Sequence, residues 1–232
     1  MVGRAVGIGW IRSRSHHCLS RVRGRTRFGP ALGSRCQACD PRGMSGAHHR
    51  WIEALLRQDV RRWQALQAVA ALDLPQGCIG AGFLRNLIWD RLHGFDSDCR
   101  DADLDVIYHD PGMSDPAHDR RLEDRLRAKL PDLRWSVRNQ ARMHRRNGDA
   151  PYASVTDAMR HWPETATALA ARLEGDAIRL IAPFGTEDVM GLILRPSSEA
   201  PHKRAAFEER LRSRNWLARW PRLPTSTVRR LI

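Results

Sequence analysis

Two short motifs contain residue types that could bind a metal ion and a phosphate. Gly80-Ala81-Gly82 lies at a predicted strand-to-helix turn, and Asp103-Leu104-Asp105 lies in the next predicted strand. Residues two apart in a strand point to the same face, so we expect the two carboxylates side by side, with Leu104 pointing into the core. Two like charges at that spacing repel unless they are neutralised, and a hard divalent cation with oxygen ligands is the natural partner. Asp103 and Asp105 therefore predict a divalent metal site.

The glycine turn predicts phosphate binding for a separate reason. It opens a helix, and the first N–H groups and the positive dipole end of a helix attract anions. A metal beside a phosphate is typical of a nucleotidyl-transfer site. Each motif also has a structural explanation, because G-x-G often serves only backbone relief and D-x-D near a loop is often an Asx turn on a solvated face. Their order on consecutive strands favours the functional interpretation.

The spacing of apolar residues predicts the elements that hold these motifs. Apolar residues three and four apart from His48 to Leu72 predict an amphipathic helix, with Arg57, Arg61 and Arg62 largely on its polar side. Strands alternate with helices in the middle of the chain, which indicates an α/β or α+β protein with a sheet flanked by helices. The other predicted elements are strands over 77–80, 104–108, 133–137 and 177–182, helices over 82–92, 120–130, 156–162, 164–173 and 204–212, and a polar stretch over 138–149.

The formal charge of +13 is concentrated at the start of the 232-residue chain. Residues 1–43 contain nine arginines and one acid, Asp40, and so contribute +8, which leaves +5 for the rest. A domain with that mildly basic balance suits a polyanionic ligand such as a nucleotide. No run of about 18 uncharged apolar residues occurs, so the sequence predicts no membrane-spanning segment.

Residues 1–43 are predicted to lie outside a folded domain that spans 44–232. The segment is rich in Arg, Gly and Ser without a helical or strand period, which favours a disordered or misassigned extension before Met44. A transit peptide and an RNA-contacting segment are the alternatives. Cys36 and Cys39 have the spacing of half a zinc site, but no second pair follows in the segment. Five scattered cysteines do not suit a disulfide framework and favour a reducing, cytoplasmic setting.

The sequence resembles a known family at these motifs and beyond them. Residues 79–86, 89–94 and 103–108 are similar to the glycine motif, helix and D-x-D strand of the DNA polymerase β-like nucleotidyltransferase superfamily, in its tRNA-nucleotidyltransferase and poly(A)-polymerase branch. More specifically, residues 139–144, 147–152, 157–166 and 182–185 resemble a bacterial nucleotidyltransferase-like family once described as a domain of unknown function. The resemblance covers about residues 50–222.

This resemblance implies an α+β fold in which a small mixed sheet is flanked by helices and followed by a helical C-terminal part. It implies two Mg²⁺ ions held by Asp103 and Asp105, and a nucleoside triphosphate whose phosphates lie over Gly80, Ala81 and Gly82. Arg85, one turn into the helix, would bind phosphate or form a structural ion pair. The superfamily normally adds a third carboxylate from a later strand, but the candidate strand, residues 134–139, contains no acid.

Other residues could compensate for the missing acid or complete the site. Asp149 or Asp157 could supply the carboxylate and Asn139 could act as a neutral ligand, while Arg142 and His144 belong to a basic stretch that could bind phosphates or a polyanionic acceptor. His144 and His161 are potential acid–base groups, although a structural histidine is the commoner outcome. Four tryptophans are predicted to pack in the core or on the C-terminal helices: Trp135, Trp162, Trp216 and Trp220.

Three functions follow from these observations. The leading one is a Mg²⁺-dependent transfer of a nucleotidyl group from a nucleoside triphosphate to an unidentified hydroxyl acceptor, either RNA or a small molecule. The second is a nucleotide- or RNA-binding protein of the same fold that has lost catalysis, which the missing acid favours. The weakest is a glycosyltransferase that uses D-x-D to hold a nucleotide sugar.

Overall fold

The computed structural model describes the backbone of residues 41–223 and the side chains of residues 46–223. The predicted extension up to residue 40, with Cys36 and Cys39, lies outside the described residues. The described part of the chain begins with a helix whose first residue is Pro41. In the described part of the chain, no helix is both long enough and apolar enough to cross a membrane.

The described residues form nine α-helices and five strands. The helices are α1 Pro41–Gln58, α2 Val60–Ala70, α3 Gly82–His93, α4 Pro116–Lys129, α5 Gln140–Asn147, α6 Val155–Arg160, α7 Glu187–Met190, α8 Pro201–Ser213 and α9 Trp216–Arg219. The strands are β1 Cys78–Gly80, β2 Asp103–Tyr108, β3 Arg134–Asn139, β4 Ala170–Glu174 and β5 Ala177–Ile181.

The five strands form one mixed sheet in the order β3-β2-β1-β4-β5. β2 and β3 are parallel, and every other neighbouring pair in this sheet is antiparallel. Helix α4 connects the two parallel strands, because a parallel pair needs a crossover connection. This confirms the predicted small mixed sheet flanked by helices.

The two faces of the sheet bury different sets of side chains. Ile79, Leu104 and Val106 point into the main core, which also takes in residues of α1 to α4 and of the C-terminal helices. On the opposite face, a smaller core beside α6 is formed by Cys78, Ile107, Val155, Met159 and Ala170. Alternation along β2 places Asp103 and Asp105 on this second face, beyond Ile107.

The single helix predicted over residues 48–72 is wrong, because Asp59 divides it into α1 and α2. Asp59 has extended backbone angles and its side chain accepts a hydrogen bond from the backbone N–H of Arg62, as a helix N-cap does. Arg62 is buried and not on the polar side as predicted, since it pairs with Asp59 and donates to the carbonyl of Phe83 at 3.2 Å. The apolar spacing continues across the break, so periodicity alone did not reveal it.

The helix predicted over residues 164–173 is also wrong. Residues Thr165–Thr167 form one turn of 3₁₀-helix, and the chain then enters β4, which pairs with β1 on one side and β5 on the other. The alanine-rich run favours a helix locally, but two neighbouring strands satisfy its backbone groups, so tertiary context overrides propensity. The polar stretch over 138–149 contains α5, which begins at Asn139 as N-cap and ends at Gly148.

Candidate functional site

β2, an inner strand of the sheet, presents the two predicted carboxylates side by side at its N-terminal end, on the second sheet face. Asp105 is half-buried and opposite Gly80 of β1, whereas Asp103 is mostly exposed and lies 3.2 Å from the Nε of Arg134 on β3. Burial raises the pKa of Asp105, and the neighbouring charge of Asp103 raises it further. The two side chains, called the carboxylate pair below, therefore repel each other where a cation would stabilise both.

The turn between β1 and α3 has a backbone conformation that usually requires glycine. Ala81 has φ 55° and ψ −122°, a region that L-residues rarely adopt, and its N–H donates to the carbonyl of Leu169 at 3.1 Å. Gly80 packs under Trp162, since a Cβ built at Gly80 would lie 3.0 Å from Cη2 of that ring. Gly82 is the first residue of α3, where a Cβ would meet only side chains at 3.6 Å or more. Gly80 thus leaves room for the Trp162 ring, Ala81 adopts the unusual backbone angles, and Gly82 begins the helix.

A cavity of about 530 Å³, called the arginine cavity below, lies between the turn, the carboxylate pair and the C-terminal helices. Gly82 and the carboxylate pair line it, together with Asp101 and Asn86. Its cationic wall comes from separate parts of the chain: Arg85, Arg134, Arg210, Arg214 and Arg219. Five guanidinium groups facing a helix N-terminus make an environment that favours a polyanion.

Arg85 is fixed in place at the back of the arginine cavity. It donates to Thr167 Oγ1 at 3.1 Å and to Asn86 Oδ1 at 2.8 Å, and its Cζ lies 4.7 Å from the centre of the Trp216 ring. Burial lowers the pKa of Arg85 to about 10, an effect that Glu164 partly offsets. At neutral pH Arg85 is therefore a preorganised cation, and its Nε has no hydrogen-bond partner within the described residues.

A second cavity, of about 600 Å³, lies on the other side of Asp105 and is called the Trp162 cavity below. Glu164 lines it and is completely buried, with one carboxylate oxygen accepting from Arg210 Nε at 2.6 Å. The other oxygen, Oε2, has no partner in the part of the chain that the structure describes. Sequence reasoning did not identify Glu164 or Arg210 as site residues, because they are 46 residues apart in the chain.

Helix α8 is held against the site by two buried acids. Lys203 Nζ donates to Asp149 at 2.7 Å, and Arg210, seven residues later on the same helix face, binds Glu164. Burial would raise the pKa of Asp149, but hydrogen bonds from Lys203 and Tyr152 outweigh burial and lower it. Asp149 thus anchors α8 and is not among the residues that line either cavity beside Asp105.

Four other predicted accessory residues are used for local structure. Asn139 is buried as the N-cap of α5 and bonds to both backbone groups of Asp110. Asp157 accepts from the N–H of Ala153 in a helix cap. Arg142 pairs with Asp119, and His144 contacts the carbonyl of Ala141 at 2.9 Å. The structure places none of the four in either cavity beside Asp105.

The position where β3 could supply a third carboxylate is occupied by Ser136. Parallel pairing sets Ser136 directly beside Asp105 and Arg134 beside Asp103. Asp101, which continues the alternate spacing of the carboxylate pair, lines the arginine cavity but lies before β2 and 3.8 Å from Arg219. No group of three or more His, Cys, Asp or Glu side chains arranged to hold a metal occurs among residues 46–223.

Comparisons with known proteins identify a family and a similar fold. A family model described as "Nucleotidyltransferase" matches residues 67–225. A solved structure described as "The NMR structure of the protein reveals a CCA-adding enzyme head domain" is 31% identical, with a TM-score of 0.69 over 75% of this chain and 93% of that chain. A second, described as "tRNA-processing enzyme (apo form 2)", is 19% identical, with a TM-score of 0.42 over 68% of this chain and 43% of that chain. No curated protein sequence matches.

Proposed function

Because the chain belongs to the nucleotidyltransferase family whose model matches residues 67–225, we propose that it binds a nucleoside triphosphate with Mg²⁺ and transfers its nucleotidyl group to a hydroxyl acceptor. The observation that carries this proposal is the arginine cavity, which joins the carboxylate pair, the start of α3 and five arginines. A triphosphate needs all three: cation ligands, backbone N–H groups and fixed positive charge.

The residues at the carboxylate pair fit a magnesium ion. Both offer hard oxygen donors, and the pKa of Asp105 is raised first by burial and then by the charge of Asp103, a repulsion that a cation would offset. Asp103 and Asp105 would hold the metal, which would neutralise phosphate charge and activate the attacking oxygen. A second ion is expected from the family resemblance.

The remaining roles belong to protein groups. The N–H groups at the start of α3 and the side chain of Arg85 would hold the phosphates in line for attack. The acceptor oxygen then forms a bond to the α-phosphorus while the bond from that phosphorus to the bridging oxygen breaks. Pyrophosphate leaves with the electron pair, the hydroxyl proton passes to water, and the configuration at phosphorus inverts.

The test combines metal binding, nucleotide binding and transfer. Mg²⁺ is expected to raise the melting temperature of the wild type and to increase its affinity for a non-hydrolysable nucleoside triphosphate. Asp103→Asn with Asp105→Asn is expected to abolish both effects, and to reduce incorporation of radiolabelled nucleotide into cell-extract acceptors by several orders of magnitude. Calorimetry and gel autoradiography measure these outcomes.

The matched control removes the same charge from exposed sites, as Asp124→Asn with Asp176→Asn, and is expected to behave like the wild type. If Mg²⁺ changes neither melting temperature nor nucleotide affinity in the wild type, the metal site and the nucleotide site are both wrong. The family match and the fold argue against the glycosyltransferase alternative, because that function needs a different fold.

Ser136 favours a second candidate, a nucleotide-binding protein that no longer catalyses transfer. The side chain beside Asp105 has no charge, so a metal there would lack one anionic ligand. In that case the wild type binds the Mg²⁺-nucleotide but incorporates none. Ser136→Asp would then be expected to tighten Mg²⁺ binding, with Ser136→Asn as the uncharged control.

A further inference from the structure

The Trp162 cavity meets the arginine cavity at Asp105. Three residues line both: Ala81, Asp105 and Arg210. Building on the function proposed above, we propose that the Trp162 cavity binds the acceptor, and that this acceptor is a small hydroxyl compound with a phosphate-like anionic group and an apolar ring. A donor in one cavity and an acceptor in the other would bring their reacting atoms together at Asp105.

The size of the cavity suits a small molecule. About 600 Å³ falls within the range of roughly 300–1,000 Å³ that is usual for small-ligand sites. Its walls are β2 and β3, helices α5 and α8, and the segment that carries Trp162 and Pro163. Lys203 and Arg210, both held by buried acids, fix the α8 wall in position.

Basic side chains on two walls of the Trp162 cavity favour an anionic ligand. Arg146 of α5 has no carboxylate partner among the residues that the structure describes. On α8, Lys203 donates to Asp149 at 2.7 Å and to the carbonyl of His161 at 3.2 Å, which leaves its third N–H to a ligand. His161 and His202 also line the cavity. Both helices therefore offer donors to a phosphate bound in this cavity.

The apolar residues that line the Trp162 cavity favour a ligand with an apolar ring. Met143, Trp162, Pro163 and Ala206 give the cavity an apolar surface beside its charged groups. The Trp162 ring lies against Gly80, where a Cβ would approach it to 3.0 Å, so the ring is fixed as a platform. Aromatic platforms of this kind stack planar ligands.

The charge around the opening favours a small molecule over a polynucleotide. A polynucleotide groove needs a continuous basic track along the backbone. Here two exposed arginines of α8 are each paired with a carboxylate: Arg204 with Glu199 at 2.9 Å and Arg212 with Glu209 at 3.0 Å. These acids reduce the positive charge that α8 offers to the phosphates of a chain.

Calorimetry with AMP as the probe tests the proposal. The protein is first saturated with Mg²⁺ and a non-hydrolysable nucleoside triphosphate, so that AMP reaches only the second cavity. We expect one AMP to bind, adenosine to bind at least tenfold more weakly, and Arg146→Ala to weaken AMP at least tenfold without changing affinity for the triphosphate analogue. Arg145→Ala, its neighbour on α5 outside the cavity, is the matched control and should bind AMP normally.

The outcomes separate this proposal from the one on which it rests. Binding of the triphosphate analogue alone reports on the proposed function, whereas the difference between the two arginine variants reports on the Trp162 cavity, with or without the analogue. AMP that only competes with the analogue, or adenosine that binds as well as AMP, would overturn the acceptor site. A ribonucleotide tetramer that binds a hundredfold tighter than AMP would overturn the small-molecule class in favour of RNA.

Discussion

At the scale of single residues, Ala81 shows a conflict between its side chain and its backbone conformation. Its angles of φ 55° and ψ −122° are those of a position where glycine is usual. Such strain costs on the order of 1–3 kcal/mol and is common at ligand-binding turns. The strained turn places Gly82, the first residue of α3, at the wall of the arginine cavity.

We expect Ala81→Gly to stabilise the protein by about 1 kcal/mol, because relief of strain exceeds the added entropy of the unfolded chain. That gain corresponds to a rise of about 2–4 °C in melting temperature, measured by calorimetry. Ala205→Gly, at an exposed position of α8, is the control and should cost about 0.5–1 kcal/mol. Equal losses in both variants would show that Ala81 carries no strain.

At the scale of elements, the strand-to-helix turn combines a packing glycine with a glycine that faces a cavity. Gly80 leaves room for Trp162, whereas Gly82 borders the arginine cavity and has space for a methyl group. Sequence alone could not separate these two roles, since both glycines belong to the same motif.

Substituting each glycine by alanine should therefore give opposite results. Gly80→Ala is expected to lower stability by about 1–3 kcal/mol, because Trp162 must move. Gly82→Ala should leave stability unchanged or slightly higher, but weaken nucleotide binding by about tenfold, since its methyl group enters the space for phosphate. Denaturant titration and calorimetry measure the two effects, and equal losses of stability would assign Gly82 to packing alone.

The attachment of α8 gives an element-scale prediction with a defined pH dependence. Asp149 has a lowered pKa in the folded protein, so its charge stabilises the fold at neutral pH, and this contribution is lost as the pH falls from about 3.9, the unfolded value, through the folded pKa. Asp149→Asn should cost about 3 kcal/mol at pH 7, because it leaves Lys203 unpaired, and progressively less towards pH 3.

Urea titrations at pH 7, 5 and 3 measure this change. Asp124→Asn is the control, because Asp124 pairs with Arg127 at an exposed site and should change stability by less than about 1 kcal/mol at any pH. A loss in Asp149→Asn that stays constant down to pH 3 would contradict the ion-pair explanation.

At the scale of the whole molecule, the C-terminal helices complete both the core and the site. Trp216 and Trp220 pack edge-on against Trp89 of α3, with ring centres 6.1 and 5.0 Å away. Trp220 also donates to Asp90 at 2.8 Å. Trp216 and Trp220, near the end of the described residues, therefore line the same arginine cavity as Gly82 at the start of α3.

Truncation tests how much helix α1 contributes to the stability of the domain. Ile52 and Leu56 of α1 are completely buried, so a chain beginning at Asp59 should lose roughly 3–6 kcal/mol, at about 1.5–3 kcal/mol for each side chain. A chain beginning at Met44 keeps both residues and is expected to melt at the temperature of the full chain. A fall of several degrees on removal of residues 1–43 alone would show that this segment packs on the domain.

The sequence by itself determined those features that depend on residues close together in the chain. The side-by-side carboxylates follow from the two-residue period of a strand, and the left-handed Gly94 that ends α3 follows from local capping rules. The family resemblance, and the mixed sheet that it implies, also depended on short runs of neighbouring residues. The apolar spacing did not predict the break between α1 and α2, because the apolar pattern continues across the helix cap at Asp59.

Only the tertiary structure decided which distant groups meet around those local features. Arg210 reaches Glu164 and Lys203 reaches Asp149 through the tertiary packing of α8, and no local pattern encodes a contact over 46 or 54 residues. The placement of Ser136 beside Asp105 depends in the same way on the register of two strands joined by a helix. Contacts of this range are set by burial and pairing of whole elements, to which each residue contributes only a part.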